Sequence, residues 1–425
     1  MARFTGIIGI IVILGLAYLW SNNRKAINLR LVITGLLLQI ALAVFILKVP
    51  VGQDIFAWLG KVINKLLDFS QEGALFVFGD LMKITSILPP TIASAGVFLF
   101  TLIPTIIFVC VLVAMAYHVG IMQRIVAVLA RFMHRVMRVS GSEALSNVAS
   151  AFVGQVEAQI MIRPYLSGMT MSELLASMTG SMACIAGGVM AVYISMGVPA
   201  SYLLAASLMA APGALVISKI VFPETSESET KGAVKLEVKK EQTNIMDAIS
   251  HGASDGMTIS INVIAMLIGV IALVALVDAL LGYFGLFLGW TGLSLDFIGL
   301  DVQNLRLKDV FGAFFSLFAI VMGVPVAESF EVGSLMGTKM VINEFVAYTD
   351  LAPMIQQGLL SPKSIIIASF ALCGFANFSS IAIQLGGIGA MVPSRKADLA
   401  RLGFKAMICG TMASYISASL AGILM

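Results

Sequence analysis

Long apolar runs, interrupted by short clusters of charge, dominate the chain. Asp, Glu, Lys, Arg and His are all absent from Phe4 to Asn23, Leu31 to Leu47, Pro89 to Tyr117, Leu174 to Ser218, Gly256 to Val277, Val310 to Ala327, Ser364 to Ser394 and Ala406 to Met425. A helix crossing a bilayer needs about 20 mostly apolar residues. Runs of this kind therefore predict an all-α integral membrane protein. Leu174–Ser218 and Ser364–Ser394 exceed one span each, and the first should divide near Gly197-Val198-Pro199. Phe4–Asn23 is too long for a signal h-region and lacks a small-residue cleavage site before Arg24-Lys25, so it reads as the first span.

Between the runs, two stretches have amphipathic spacing. Arg124, Arg131, Arg135 and Arg138 share one helical face, with Ile125, Val128, Leu129, Phe132 and Val136 filling much of the rest. That pattern predicts a helix lying at the cytoplasmic interface. Asp54, Lys61, Lys65 and Asp68 repeat the spacing and predict a second such helix on the outer surface. Arg24, Lys25 and Arg30 place the loop after the first span in the cytoplasm. Residues 223–241, rich in Ser, Thr, Glu and Lys, form a solvated cytoplasmic linker between two membrane-embedded halves.

Polar residues inside the apolar stretches carry the functional signal. Ala151-Phe152-Val153-Gly154-Gln155-Val156-Glu157 lies between arms too short for two spans, which predicts a re-entrant hairpin with a polar tip. In the second half, Val310–Met322 leads to Gly323-Val324-Pro325-Val326-Ala327-Glu328-Ser329, read as a matching hairpin whose second arm continues through Asn343-Glu344-Phe345-Val346-Ala347-Tyr348. Gly154…Glu157 is thereby paired with Gly323…Glu328. Each hairpin precedes a run with a polar, small-residue interruption, Ala183-Cys184-Ile185-Ala186-Gly187-Gly188 and Gly374-Phe375-Ala376-Asn377-Phe378-Ser379-Ser380, which predicts a broken helix. Paired hairpins and paired broken helices point to an internal repeat with a solute site at its interface. Glu157 and Glu344 stand in apolar surroundings where an ionised carboxylate costs at least ~2.5 kcal/mol unless paired or wetted. Each is either such a site acid, a helix-end acid reaching the interface, or a protonated, hydrogen-bonded core acid.

Composition narrows the function. The chain is 59% hydrophobic with 12% charge, too few charged residues to clothe a soluble domain. A net charge of +3 does not suggest nucleic acid. His118, His134 and His251 are scattered, and the four cysteines form no CxxC pair, so neither a metal centre nor a disulfide framework is indicated. No hydrolase motif is present, which disfavours an enzyme. A channel, or a transporter of another small polar solute, is the alternative.

Gly154-Gln155-x-Glu157-Ala158, Asn343 to Tyr348, and Cys373-Gly374-Phe375-Ala376-Asn377-x-x-Ser380 resemble the concentrative nucleoside transporter family. Asn23 to Asn28 and Ala210-Ala211-Pro212-Gly213 resemble its bacterial members. The resemblance implies about eight transmembrane helices, two inverted re-entrant hairpins, an elevator-type mechanism and a homotrimer in the bacterial inner membrane. It implies a cation-coupled importer (symporter) of nucleosides with no cofactor beyond the coupling ion. Gln155 and Glu157, with Val156 between them, would meet the nucleobase. Glu344, Asn377 and Ser380 would bind the ribose hydroxyls, with Phe375 beside them. Val156 stands where relatives carry Thr or Ser. Ser150 and Cys184 replace the Asn and the Ser or Thr of sodium-coupled members; with the carbonyls of Val153 and Met182 they would form the ion site. A thiol is a poor ligand for a hard cation. Sodium is nonetheless favoured over the proton by the rest of the chain. The implied organisation is residues 1–94 as N-terminal spans, outer interfacial helix and scaffold, 95–222 as the first repeat, 223–245 as the linker and 246–425 as the second repeat.

Overall fold

The computed structural model describes residues 5–79, 100, 102–230, 242–290 and 305–425. The boundary near residue 94, the first part of the Pro89–Tyr117 run and most of the linker lie outside the described residues. In chain order the helices are α1 (Thr5–Leu19), α2 (Leu29–Leu47), α3 (Pro50–Phe78), α4 (Ile103–Val119), α5 (Ile121–Met137), α6 (Gly141–Ser150), α7 (Glu157–Ile160), α8 (Met171–Ala183), α9 (Gly187–Ser195) and α10 (Ala200–Val221). They continue with α11 (Ile245–Trp290), α12 (Leu307–Met322), α13 (Val326–Val341), α14 (Glu344–Gln356), α15 (Pro362–Leu372), α16 (Phe378–Met391) and α17 (Lys396–Leu424). Among the described residues five helices are long and apolar enough to cross a membrane, or up to seven if two bent pairs are each one span. The Leu174–Ser218 run divides where expected, between Ser195 and Ala200.

Small residues build the core. α10 and α17 bury Ala, Ser and Gly along most of their lengths, so their backbones approach closely. α1 packs on α17, with Gly6 and Gly9 against the backbone and hydroxyl of Ser419. α2 is fastened by Gln39, which is fully buried and donates from Nε2 to the Met209 carbonyl at 3.0 Å and to Ser417 Oγ at 3.2 Å. The first two helices thus join the α10–α17 core. α4 and α11 form a separate pair in which Gly252 and Gly256 sit on the backbone of Ile107 to Val111. α5 buries Val126, Ala130, Met133 and Met137, leaving Arg124, Arg131 and Arg135 exposed beside Ile125, Val128 and Phe132. α3 likewise exposes Asp54, Lys61, Lys65 and Asp68 and buries a stripe from Gly52 to Ala74.

The two halves run through the same sequence of elements: α5 to α10 in the first, α12 to α17 in the second. The second-half pairing differs from the sequence expectation. The chain does bend, by 118°, between α12 and α13, where Gly323 takes φ +109°. The polar tip equivalent in order to Gly154–Glu157, however, is Ile342-Asn343, between α13 and α14. Glu344 therefore corresponds to Glu157, each opening the second arm of its hairpin. Glu328 instead accepts from the backbone N–H and hydroxyl of Ser361 at 3.0 and 2.9 Å, stabilising the start of α15.

Capping sets the base of the first hairpin. Ser140 and Glu143 cap α6 reciprocally, and Thr170 and Glu173 do the same for α8. Lys219, near the end of α10, reaches this base, pairing with the buried Glu143 and donating to Ser172 Oγ at 2.9 Å and Glu224 at 3.3 Å. Lys219→Met strands a buried carboxylate and should cost about 3–5 kcal/mol. Glu143→Gln in the same chain should recover much of that loss. Denaturant unfolding of the detergent-solubilised variants measures both values, and no recovery would separate the two groups energetically.

Candidate functional site

Each broken helix opens its backbone at one place. α8 ends at Ala183, and Cys184 is extended (φ −104°, ψ 165°) before α9 begins at Gly187. α15 ends at Leu372, and the chain passes through Gly374 at φ +101° before Asn377 caps α16 by accepting from Ser380 N–H at 2.9 Å. The two breaks meet. Phe375 N–H donates to the Cys184 carbonyl at 3.3 Å, and Gly374 lies against the carbonyls of Met182 and Ala183. The first hairpin closes on the same place, since Gly187 N–H donates to the Phe152 carbonyl at 3.1 Å.

Around this junction the side chains form one hydrogen-bonded row. Glu344, buried, accepts from Asn377 Nδ2 at 2.9 Å and from Tyr193 Oη at 3.2 Å. Asn377 leads through its cap to Ser380, whose Oγ accepts from Gln155 Nε2 at 3.3 Å. Gln155 Oε1 accepts in turn from Gln384 Nε2 at 3.4 Å, and Gln384 also donates to the Met178 carbonyl. Four of the expected residues, Gln155, Glu344, Asn377 and Ser380, therefore converge from both halves. Val156 packs its methyls onto Gly387 of α16, and Phe375 sits half-buried beside Asn377. Glu157 is exposed, its carboxylate folded over Gly154, and among the described residues it has no hydrogen-bond partner.

A carboxylate offers about four lone-pair sites, more than the two side-chain donors on Glu344 fill. It can thus accept hydroxyl protons from a solute while Asn377 and Tyr193 hold it in place. Most of the row is satisfied by its own members, as buried polar groups require, while the buried Oε1 of Gln384 has no partner among the described residues.

The four expected ion-site positions lie together at the first break. Ser150 Oγ donates to the Ser146 carbonyl at 2.7 Å and shares a hydrogen bond with Ser181 Oγ at 2.9 Å, next in the chain to Met182. Val153 follows Phe152, whose carbonyl accepts from Gly187 N–H just past the break. The Cys184 thiol points away to the Ser207 carbonyl at 3.6 Å. Ser181, whose Oγ also accepts from Gln159 Nε2 at 2.7 Å, is an oxygen that the sequence reading missed. Tyr193 and Gln384 were missed as well: they sit in uncharged runs, where only helical register separates a site residue from packing. The residues 177, 181 and 159 form their own buried cluster, with Ser177 Oγ donating to Gln159 Oε1 at 2.7 Å.

Gly374→Ala should destabilise the fold by about 1–3 kcal/mol, the usual cost of a non-glycine residue held in such a conformation. A Cβ would also strike the Ala183 carbonyl. The loss should appear in thermal unfolding of the solubilised protein, and wild-type stability would mean that the two breaks can part freely.

Comparison with known proteins agrees with this architecture. Profiles described as Na+ dependent nucleoside transporter N-terminus, nucleoside recognition gate, and Na+ dependent nucleoside transporter C-terminus match residues 8–81, 99–200 and 202–422. The chain is 35% identical to the nucleoside permease NupC of Helicobacter pylori, covering 98% of this chain and 96% of that protein. It is 40% identical to the transporter YutK of Bacillus subtilis over 98% of both chains. It is 37% identical to sodium/nucleoside cotransporter 2 of Rattus norvegicus, spanning all of this chain and 62% of that one. Solved structures of CNTnw, one inward-facing and substrate-bound and one outward-facing, superpose with TM-scores of 0.90 at 38% identity, over 100% of this chain and 98% of each. The fold is all-helical and elevator-type, the function is cation-coupled nucleoside uptake and not catalysis, and the chain belongs to the sodium-dependent nucleoside transporter family.

Proposed function

We propose that the nucleoside lies along the row from Glu344 to Gln155, with sodium as the coupling ion. The observation that carries this reading is the convergence of Gln155, Glu344, Asn377 and Ser380 from both halves on one buried line. Vicinal ribose hydroxyls suit a carboxylate acceptor flanked by an amide and a hydroxyl. Gln155 and Glu157, with Val156 between them, face the donors and acceptors of the base. Phe375 closes the site beside the sugar.

Sodium would bind where the first hairpin tip meets the first break, through Ser150 and the carbonyls of Val153 and Met182. Ser181 adds a hydroxyl, and Cys184 contributes by its place in the break, since its thiol is turned to Ser207. Hard oxygen ligands favour sodium at such a site. The family's description and the names of the mammalian relatives support the same ion. An ion held between hairpin and break favours the closed hairpin, so its binding and that of the nucleoside strengthen each other by one common factor.

The stationary part of the elevator fits the α4–α11 pair better than residues 1–94 as a whole, because α1 and α2 are fastened to the α10–α17 core. Over Ile271–Trp290, α11 is almost wholly uncovered, with Leu273, Leu276, Leu280 and Phe284 exposed. Such a surface needs lipid or neighbouring protomers, which supports a homotrimer in the bacterial inner membrane.

Glu344→Ala should weaken uridine binding by about 3 kcal/mol or more, roughly a hundredfold, since charge-assisted hydrogen bonds are lost together. Free uracil should bind poorly to the wild type. Calorimetry with both ligands decides, and tight uracil binding with weak uridine binding would sink the ribose assignment.

In proteoliposomes, an inward sodium gradient should drive uridine accumulation and a proton gradient alone should not. Ser150→Asn with Cys184→Ser should tighten sodium and uridine binding by the same factor. Proton-driven uptake by the wild type, with no gain in the double variant, would overturn sodium while leaving the nucleoside site standing.

A further inference from the structure

Lys339 is fully buried on α13, five residues before Glu344. Its ammonium donates to the carbonyls of Ala371 at 2.9 Å and Cys373 at 3.2 Å. Among the described residues no carboxylate comes within ion-pairing distance of it. An unpaired buried ammonium is costly unless dipoles replace water around it. Here those dipoles are the Ala371 carbonyl, in the last turn of α15 where carbonyls lack intrahelical partners and form the negative end of the helix, and the carbonyl of Cys373 just beyond that end. Ser414 Oγ donates to the same Cys373 carbonyl at 2.8 Å. Backbone carbonyls gathered around a single positive charge are how proteins hold monovalent cations.

The location gives the contact its meaning. α15 holds in the second half the place that α8 holds in the first, and the first break is where a free cation is proposed to bind. At the second break the charge comes instead from the adjoining hairpin. We propose that Lys339 is a tethered cation: its ammonium supplies to the second broken helix the positive charge that a solute ion supplies to the first. The second hairpin is thereby pinned to its break without an ion from solution. Ion gating falls to the first hairpin alone. Lys339 acts as a positioning residue, because the carbonyl ends it holds lead directly through Gly374 to Asn377, the partner of Glu344. The inference rests on the nucleoside reading of that row.

The test uses the full-length purified transporter, with uridine binding by calorimetry and uptake in proteoliposomes. Lys339→Ala leaves room for a small amine, Lys339→Met fills the space without charge, and Lys339→Arg keeps the charge. Lys339→Ala and Lys339→Met should each lose uridine affinity by roughly tenfold or more, with Lys339→Arg retaining most of it. n-Propylammonium, present from purification onward, should restore several-fold of the loss in Lys339→Ala and none in Lys339→Met, and the neutral n-propanol should restore neither. Rescue by the amine but not the alcohol separates charge from packing, which a purely structural lysine would not do. Lys339→Met binding uridine like the wild type overturns the proposal. So does a Lys339→Ala chain that propylammonium fails to restore, whether folded or not, and so does equal rescue by propanol. Uridine uptake by the wild type in the same vesicles tests nucleoside transport itself, so failure of that control is a different result from failure of the rescue.

Discussion

The site depends on one backbone contact, the meeting of the two helix breaks. Phe375 N–H on the Cys184 carbonyl and Gly374 against Ala183 bring together segments almost two hundred residues apart. Breaking a helix inside a membrane frees N–H and C=O groups that lipid cannot satisfy. Placing one break against the other lets each supply part of what the other lacks. Polar side chains from both halves gather beside this junction.

This arrangement explains why the polar residues of the core are few and connected. Asn377 is a helix cap and also a partner of Glu344; Gln155 belongs to a hairpin tip and also bonds to α16. Each of these side chains satisfies local backbone or a neighbour from the other half. Around them, α8, α10, α15 and α17 supply small, closely packed faces. The row is held by helices and caps, and the two hairpins contribute Gln155 and Glu344 to it.

Much of this was legible in the sequence because intramembrane polarity is expensive. The charge-free runs marked the spans, and Glu344 with Asn377 stood out against them. The split near Gly197-Val198-Pro199 followed from run length alone. The second hairpin was harder: Gly323-Val324-Pro325 and Ile342-Asn343 both interrupt apolar sequence, and only the fold shows that the first is a bend and the second the tip. Glu328 drew attention by its charge yet serves Ser361, a pairing thirty-three residues away that no local pattern announces. Tyr193 and Gln384 were invisible for the opposite reason, being uncharged residues whose roles depend on which face of a helix meets a distant neighbour. The turning of the Cys184 thiol toward Ser207 is likewise a matter of rotamer and packing, not of spacing.

The length of α11 has a mechanical consequence. At about 1.5 Å per residue its 46 residues extend for ~69 Å, more than twice the ~30 Å of a hydrocarbon core. No moderate tilt hides such a rod in the bilayer. With Ile271–Trp290 long and apolar enough to cross the bilayer, its polar start, where Asp247 and His251 lie 3.4 Å apart, therefore emerges into water. An uninterrupted helix of that kind behaves as a lever with one arm outside the membrane. A force applied to the arm would be felt along the whole rod.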